Sequence, residues 1–531
     1  MNTGFFVGCN IPMWADLILA LRRSDIRFSY ICGLPEVTAR LGDGTTILHD
    51  LVMAERGVGA ESISTSDAPP LDAVTLKKYQ QAEIACLDIA DRMDLGYTFA
   101  YRERERLYFT CLEFWLAATQ MLKPDFVLFP DNPHSVFSHT LFHVCRQKHI
   151  PMLSFLHITA LKLIIPVADF EQENPKLRAA FNSMQQEHAD ATADELLDLL
   201  PTRLREYVET HELNYDHAMP AYLKSRLEAN KVKGSLLGNT TGADVARRLL
   251  QPLGYPKLFK TVAAKALAGA RNTFNGAATI EAPLNFLKRP YEALENSFIS
   301  GSEWRQYKNR AISYKTDLLT RYNSLCEPPE LDKPYILFPL HYQPERTTSP
   351  EGGRFSNQQL VLKMLSRHLP DGWHIIVKEN PTQLLSHTAH GERGRLPYFY
   401  DDLVSIDRVS LVPMEISQFD LIDSARAVAS LTGTTGFEAV IRGKPVLVFG
   451  FAWYRGCNGT FFVQNNDELN LAIEQIVDGA KPDLREVFLF MLALGRIGMR
   501  GFVNPKRARP SEQELAENIE NLKNLALKNI L

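Results

Sequence analysis

The sequence predicts an α/β protein with two doubly wound parallel sheets and a helical part between them. Short apolar runs recur in both halves of the chain, and each ends in a turn of small, polar or ionisable residues. Helical patterns separate these runs, as in parallel strands joined by helices. A length of 531 residues allows about two to four domains. We assign residues 1–165 and 331–510 to the two sheet domains, 166–330 to a helical middle part and 511–531 to a C-terminal helix.

Composition excludes several classes of protein. A net charge of −4 predicts no general affinity for nucleic acid. The seven cysteines are dispersed without a CxxC pair, which argues against a disulfide framework or a cysteine zinc site and for a reducing compartment. No run approaches the ~18 apolar residues of a membrane span, and the N-terminus does not resemble a signal peptide. We therefore expect a cytoplasmic protein.

The first half begins with a strand–helix–strand pattern and contains a candidate reactive turn. Phe5 to Gly8 and residues 28–31 are predicted strands, and the helical pattern of residues 14–23 lies between them. A long helical region is predicted over residues 76–121. A buried strand is predicted over residues 123–130, and Asp131 and His134 follow it. An Asp and a His at the carboxyl end of such a strand can transfer protons or attack an electrophilic carbon. The alternative is that Asp131 merely caps the next helix.

The middle part is predicted to be helical, from a long polar stretch to one long helix over residues 303–326. Residues 257–310 are basic, with phenylalanines and a tyrosine between the charges. One interpretation is a surface for an anionic lipid-linked acceptor or for peripheral association with the inner membrane. The other, which we favour, is a helical segment between domains with solvated lysines.

In the second half, polar side chains follow three predicted strands. The strand over residues 334–340 leads into a loop that contains His341, Gln343, Glu345 and Arg346. Lys378 follows the strand over 373–377, and Pro413 ends the strand over 409–412. Because the carboxyl ends of parallel strands share one edge, we expect these groups to line one ligand site.

The stretch 428–450 predicts a strand, a turn, a helix and a further strand. The turn over residues 431–436 offers backbone N–H groups and hydroxyls at the positive end of a helix predicted from Phe437 to Arg442. It is a candidate anion site built from Thr432, Gly433, Thr434 and Thr435, and Glu438 is placed to bind sugar hydroxyls. The alternative is a capped turn without a ligand.

Residues ~335–455 resemble the bacterial capsular polysaccharide biosynthesis glycosyltransferases, which include Kdo transferases with a GT-B fold of two Rossmann-like domains facing a cleft. The resemblance rests on FPLHYQPERTTSPEGG, LPDGWHIIVKENP and SLTGTTGFEAVIRGKPVLVFGFAWY, and KPDFVLFPDNPHS is similar to the acceptor-side domain of those proteins. It implies a nucleotide-activated donor, CMP-linked and Kdo-like, and a glycan or glycolipid acceptor. The residues that would hold the nucleotide are Lys378, Thr432, Gly433, Thr434 and Glu438. Asn380 stands where related CMP-sugar enzymes often have a histidine.

For catalysis we assign Asp131 as nucleophile or base, His134 as its assistant and Glu345 as the reserve. No DxD motif follows a convincing strand, so we expect transfer without a metal, and no cofactor besides the donor. Three alternatives stay open: a nucleotide-sugar 2-epimerase, a CDP-alcohol phosphotransferase with His134 or His341 as base, and a non-catalytic assembly component.

Overall fold

The computed structural model describes residues 2–94, 99–210, 301–384 and 391–530, and all structural statements below concern these residues. They form the predicted α/β fold, with two separate sheets of mostly parallel strands. Residues 257–300 of the basic stretch lie outside the described residues. Most of the predicted helical middle part also lies outside them.

The first sheet has the strand order β13-β6-β5-β4-β1-β2-β3. Strands β1 to β5 are parallel, and β6 and β13 extend the sheet in the antiparallel sense. Its strands are β1 (Thr3–Cys9), β2 (Arg27–Gly33), β3 (Ile47–Asp50), β4 (Phe126–Phe129), β5 (Met152–Ile158), β6 (Leu163–Val167) and β13 (Met499–Arg500). The order of the parallel strands reverses between β1 and β4, so the turn after β4 lies at a ligand-binding crevice.

The second sheet is parallel throughout, in the order β12-β11-β10-β7-β8-β9. Its strands are β7 (Tyr335–Pro339), β8 (His374–Lys378), β9 (Val409–Val412), β10 (Ala427–Ser430), β11 (Val446–Val448) and β12 (Thr460–Phe462). Strand order reverses between β7 and β10, which is where an open doubly wound sheet binds its ligand.

Helices cover both sheets. Around the first sheet lie Pro12–Arg22, Pro35–Thr38, Leu51–Glu55, Ala73–Lys78, Gln80–Met93, Tyr101–Leu122 and Val136–Lys148. The connecting segment contributes Pro175–Glu187, Ala193–Leu199, Thr202–Glu209 and Gly301–Leu325. Around the second sheet lie Gln358–His368, Phe399–Val404, Gln418–Ser424, Thr434–Ile441, Asn466–Val477 and Leu484–Ile497, and Pro505–Ala508 and Glu512–Ile530 complete the chain. Within the described ranges, no helix combines the length and the apolar character required to cross a membrane.

The end of the chain returns to the first domain. The helix Glu512–Ile530 buries Leu522 and Ala526 in the same apolar cluster as Trp14 and Leu17 of the first helix. Strand β13 pairs with β6 just before it. Two doubly wound domains whose polypeptide crosses back in this way have the GT-B architecture that the resemblance implies.

Two helix boundaries differ from the prediction. The helix predicted from Phe437 begins earlier, at Thr434, because Gly433 already has the extended backbone of an N-cap residue. The helical region that we predicted over residues 76–121 contains separate helices, among them Gln80–Met93 and Tyr101–Leu122. Periodicity alone did not show this interruption.

Candidate functional site

The carboxyl edge of the second sheet carries the predicted donor residues on adjacent strands. His341 follows β7, Lys378 ends β8 and Thr432 follows β10. Because β8 and β10 flank β7, His341 lies between the other two groups. Pro413 follows β9 at the same edge, where its carbonyl accepts a hydrogen bond from Ile416.

The histidine is anchored in the threonine turn. His341 Nε2 accepts hydrogen bonds from the backbone N–H groups of Thr432, at 3.3 Å, and Gly433, at 3.0 Å. Burial, together with the Arg395 guanidinium, lowers the pKa of His341 to about 4, so the ring stays neutral and Nε2 remains an acceptor. The close approach requires a glycine, since a Cβ on Gly433 would lie 2.9 Å from Nε2.

Because His341 occupies part of the threonine turn, the N–H groups left for an anion are those of the first turn of the helix Thr434–Ile441. Two of the N–H groups assigned to a phosphate already bind His341. The backbone N–H groups of Thr434 and Thr435 donate to no acceptor among the residues that the structure describes. Thr434 is exposed and Thr435 is half-buried, so both are accessible to an anion at the positive end of the helix.

Lys378 is a buried cation on the same edge. The residue is only 5% exposed. Within the described ranges, its ammonium forms no ion pair or hydrogen bond. Burial lowers the pKa of Lys378, against the opposing effect of Glu415 and Glu379. A buried ammonium without a close counter-ion costs stability, and a bound phosphate would supply the missing charge.

We expect Lys378→Met to weaken nucleotide binding and to stabilise the free protein. Loss of one charged hydrogen bond costs about 1.5–3 kcal/mol, which is about a 10–100-fold rise in Kd. The apolar side chain, in contrast, no longer has to be desolvated as a charge, so the Tm of the free protein should rise. Calorimetric titration with CMP and thermal unfolding measure the two effects. Lys363→Met, at an exposed lysine of the neighbouring helix, should change neither; an unchanged Kd in Lys378→Met would remove the residue from the site.

Glu438 lies deeper than its predicted contact with sugar hydroxyls suggests. It is 4% exposed, and its Oε2 has no hydrogen-bond partner among the described residues. Burial raises the pKa of Glu438 to about 7, although Arg442 and Thr434 oppose the shift. An unsatisfied buried carboxylate oxygen would be satisfied by a ligand hydroxyl that reached it.

The raised pKa gives Glu438→Gln a pH-dependent effect. The folded carboxyl binds its proton more tightly than the unfolded one, so it lowers stability progressively as pH rises from about 4.5 to about 7. The variant should therefore match the wild type near pH 4.5 and exceed its Tm at pH 8, by an amount that reflects a few kcal/mol. Thermal unfolding across this range measures the difference, with Glu474→Gln as an exposed control. Parallel curves for Glu438→Gln and wild type would contradict the assignment.

Across the cleft, the turn after β4 meets the loop after β7. Asp131 forms an ion pair with Arg346, and Asn132 Nδ2 donates to Glu351 Oε1 at 2.8 Å. Burial opposes the charge of Arg346, but the carboxylates of Asp131, Glu351 and Glu345 outweigh it and raise the pKa of Arg346. The carboxyl edges of the two sheets therefore contact each other through a charged network.

His134 stands in this network as a neutral base. Its Nδ1 donates to the carbonyl oxygen of Asn132 at 2.7 Å, which leaves the lone pair on Nε2. Burial, with the charges of Arg92 and Arg346, lowers the pKa of His134 to about 4. The ring is therefore neutral at neutral pH, and its Nε2 carries no proton.

A short series of contacts through Arg346 and Thr347 joins the two halves of the candidate site. Arg346 contacts Asp131, and the carbonyl of the next residue, Thr347, accepts a 2.7 Å hydrogen bond from Thr432 Oγ1. Asp131 and the threonine turn therefore border the same interdomain cleft. Glu345 joins these contacts, since its Oε2 accepts from Thr347 Oγ1 at 2.9 Å.

A buried ion pair that the sequence analysis did not identify supports the loop after β7. Arg395 and Glu379 are both essentially inaccessible, with Nε–Oε2 and Nη2–Oε1 distances of 2.7 and 2.8 Å. Arg395 also donates to the carbonyl of His341 and to Gln343 Oε1, each at 3.1 Å. Gln343 thus serves to fix the loop in this structure. Glu379 adjoins Lys378 in the sequence and could have been suspected, whereas nothing in the polar stretch around Arg395 indicates its partner.

Comparison with known proteins supports the resemblance. Residues 304–466 match the family profile described as "Capsule polysaccharide biosynthesis protein". This match covers less than a third of the chain. The capsule polysaccharide modification protein LipA of Neisseria meningitidis is 35% identical over 63 residues, which make up 12% of this chain and 9% of that protein.

Solved structures with detectable similarity include a Kdo transferase and a protein solved with UDP. A beta Kdo 2,7 transferase, KpsC of Thermosulfurimonas dismutans, is 20% identical over 41% of this chain and 62% of that chain, with a TM-score of 0.22. MnaA of S. aureus, solved with UDP, is 11% identical over 99% of this chain and 98% of its own, also with a TM-score of 0.22. These scores are too low to indicate a shared fold, so the fold rests on the sheet topology. This chain spans less than two thirds of LipA and of KpsC.

Proposed function

We propose that the protein is a glycosyltransferase of bacterial surface or capsular polysaccharide biosynthesis. It takes its sugar from a nucleotide-activated donor, CMP-linked and Kdo-like, and passes it to a glycan or glycolipid acceptor. The family match of residues 304–466 supports the biological setting. The observation that carries the proposal is the buried Lys378 ammonium, which has no close partner among the residues that the structure describes. It lies on the same sheet edge as the N–H groups of Thr434 and Thr435, which donate to no acceptor within those residues.

In this proposal the second domain binds the donor. The ammonium of Lys378 and the helix N-terminus at Thr434 neutralise the phosphate that leaves with the nucleotide. Glu438 accepts a hydrogen bond from a sugar hydroxyl through its unsatisfied Oε2. Lys378 and the helix N-terminus provide positive charge for the leaving phosphate without a catalytic metal.

The first domain supplies the acceptor side of the reaction. The bond from the anomeric carbon to the phosphate oxygen breaks, and the phosphate keeps the electron pair. The acceptor hydroxyl forms the new bond and loses its proton to Asp131 or to Nε2 of His134. If Asp131 attacks the anomeric carbon first, the acceptor then displaces it from a covalent sugar intermediate. Arg346 orients the Asp131 carboxylate for either role.

A thermal-shift panel with CMP, UDP, GDP and CDP tests the proposal. A ligand that binds the folded protein stabilises it by mass action, by about 2.7 kcal/mol at 100 times its Kd. We expect the largest rise in Tm with CMP, and the same rise in the presence of EDTA. If no nucleotide raised the Tm, the protein would instead be a non-catalytic assembly component.

A further inference from the structure

A second polar cluster lies on the helix Val136–Lys148 of the first domain. His139 and His143 are one turn apart on the same face of this helix and are 0% and 6% exposed. Glu171, in the segment after β6, approaches the same face. His139 Nε2 and His143 Nε2 are 3.1 Å apart, and His143 Nε2 is 3.8 Å from Glu171 Oε1.

The surroundings orient all three groups toward one point. His139 Nδ1 donates to the carbonyl oxygen of Pro133 at 3.2 Å, so the lone pair of Nε2 faces the cluster. Arg146 Nη1 binds Glu171 Oε2 at 2.7 Å, which leaves Oε1 on the side of the histidines. A ligand histidine whose other ring nitrogen donates to a carbonyl, and a ligand carboxylate held by a further hydrogen bond, are typical of protein metal sites.

We propose that His139, His143 and Glu171 bind a divalent metal ion of the zinc type through the two Nε2 atoms and Oε1. All three ligand atoms lie within 4.8 Å of one another. With metal–ligand distances of about 2.0–2.1 Å, the 3.1 Å and 3.8 Å separations correspond to angles at the metal of about 100° between the two Nε2 atoms and about 130° between His143 Nε2 and Glu171 Oε1, which bracket the tetrahedral value. Two imidazoles and one carboxylate suit Zn²⁺, and a water completes the four-coordinate shell.

A hydrogen bond between the two imidazoles explains only part of this geometry. It accounts for the 3.1 Å distance between the nitrogens. It does not account for Glu171 Oε1, which at 3.8 Å is too far for a hydrogen bond to His143. A metal between the three atoms explains both distances.

The ion would have a structural role. It would join the helix Val136–Lys148 to the segment around Glu171, whose neighbour Phe170 contacts the second domain. The carbonyl of Phe170 accepts a 3.2 Å hydrogen bond from Arg455. Pro133, which accepts the bond from His139, lies in the turn between Asp131 and His134. The metal would thus fix the turn that borders the cleft.

Metal analysis of the full-length protein tests this proposal. After treatment with a chelator and dialysis, the wild type should take up about one Zn²⁺ per chain and gain Tm. With Co²⁺ it should show the visible absorption of a four-coordinate site. His143→Gln keeps an N–H that can donate to His139, and Glu171→Gln keeps the shape of the side chain, but each should weaken zinc binding more than tenfold. His188→Gln, outside the cluster, should bind zinc as the wild type does.

A wild-type chain that takes up neither zinc nor cobalt would overturn the proposal. So would zinc binding of equal strength in the wild type, His143→Gln and Glu171→Gln, since the ion would then lie elsewhere. If the variants do not fold, the cobalt spectrum of the wild type decides alone: its presence supports the site, and its absence excludes it. Nucleotide binding plays no part in this readout.

Discussion

Asp131→Asn is expected to abolish most sugar transfer while leaving nucleotide affinity unchanged. Asparagine keeps an oxygen for Arg346 but cannot act as a base or form a stable ester with the sugar. Loss of a base lowers kcat by about 10²–10⁴-fold, and loss of a nucleophile by at least as much. The donor groups Lys378 and Thr434 are on the other domain, so the Kd for CMP should stay within about twofold.

The second aspartate of the same strand region provides a matched control. Asp125 lies before β4, at the opposite end from Asp131, where its Oδ2 accepts the backbone N–H of Thr3 at 2.8 Å. Asp125→Asn should retain full kcat. Product formation with a labelled CMP-sugar, measured together with calorimetric CMP binding, separates the two parameters. A fully active Asp131→Asn variant would show that Asp131 is neither the nucleophile nor the base, and Glu345 or His134 would then be the candidate.

Breaking the Arg395–Glu379 ion pair is expected to cause the largest loss of stability. Arg395 donates to both oxygens of Glu379, and Tyr400 Oη donates to Oε2 at 2.6 Å. Removing one member of a buried pair leaves an uncompensated charge and costs about 3–5 kcal/mol. Arg395→Met should therefore lower the free energy of unfolding by this amount, as measured by urea denaturation, and should loosen the loop from His341 to Gln343.

Two further variants test whether the loss of stability comes from the unpaired buried charge. The double variant Arg395→Met with Glu379→Gln removes both charges and should be more stable than Arg395→Met alone. Arg321→Met breaks an exposed ion pair with Asp401, on a helix near the same site, and should cost much less stability, because exposed ion pairs contribute little. Equal losses for Arg395→Met and Arg321→Met would show that the buried pair does not organise the loop.

The strand ends of the site could be predicted because their signals are local. The apolar runs before Asp131, His341, Lys378 and Thr432 each end in a polar turn, and parallel topology then places the turns of one domain at one edge. The start of the helix at Thr434 could not be predicted, because threonines favour turns as well as helix N-termini.

The contacts across the cleft could not be predicted from the sequence. Asn132 and Glu351 are 219 residues apart, and their hydrogen bond depends on how the two domains pack. The return of the chain to the first sheet through β13 could not be predicted either, because a two-residue strand carries no periodicity. The hydrogen bonds of the threonine turn also depend on tertiary structure, because its first N–H groups bind His341, a residue 91 positions from Thr432.

The most direct test of the donor site compares calorimetric titrations with CMP and with cytidine. The two ligands differ only in the phosphate, the group that Lys378 and the helix at Thr434 are inferred to bind. We predict that wild type binds CMP at least tenfold more tightly than cytidine, and that Lys378→Met removes most of this preference. Equal affinity for the two ligands, or a phosphate preference that survives in Lys378→Met, would contradict the account.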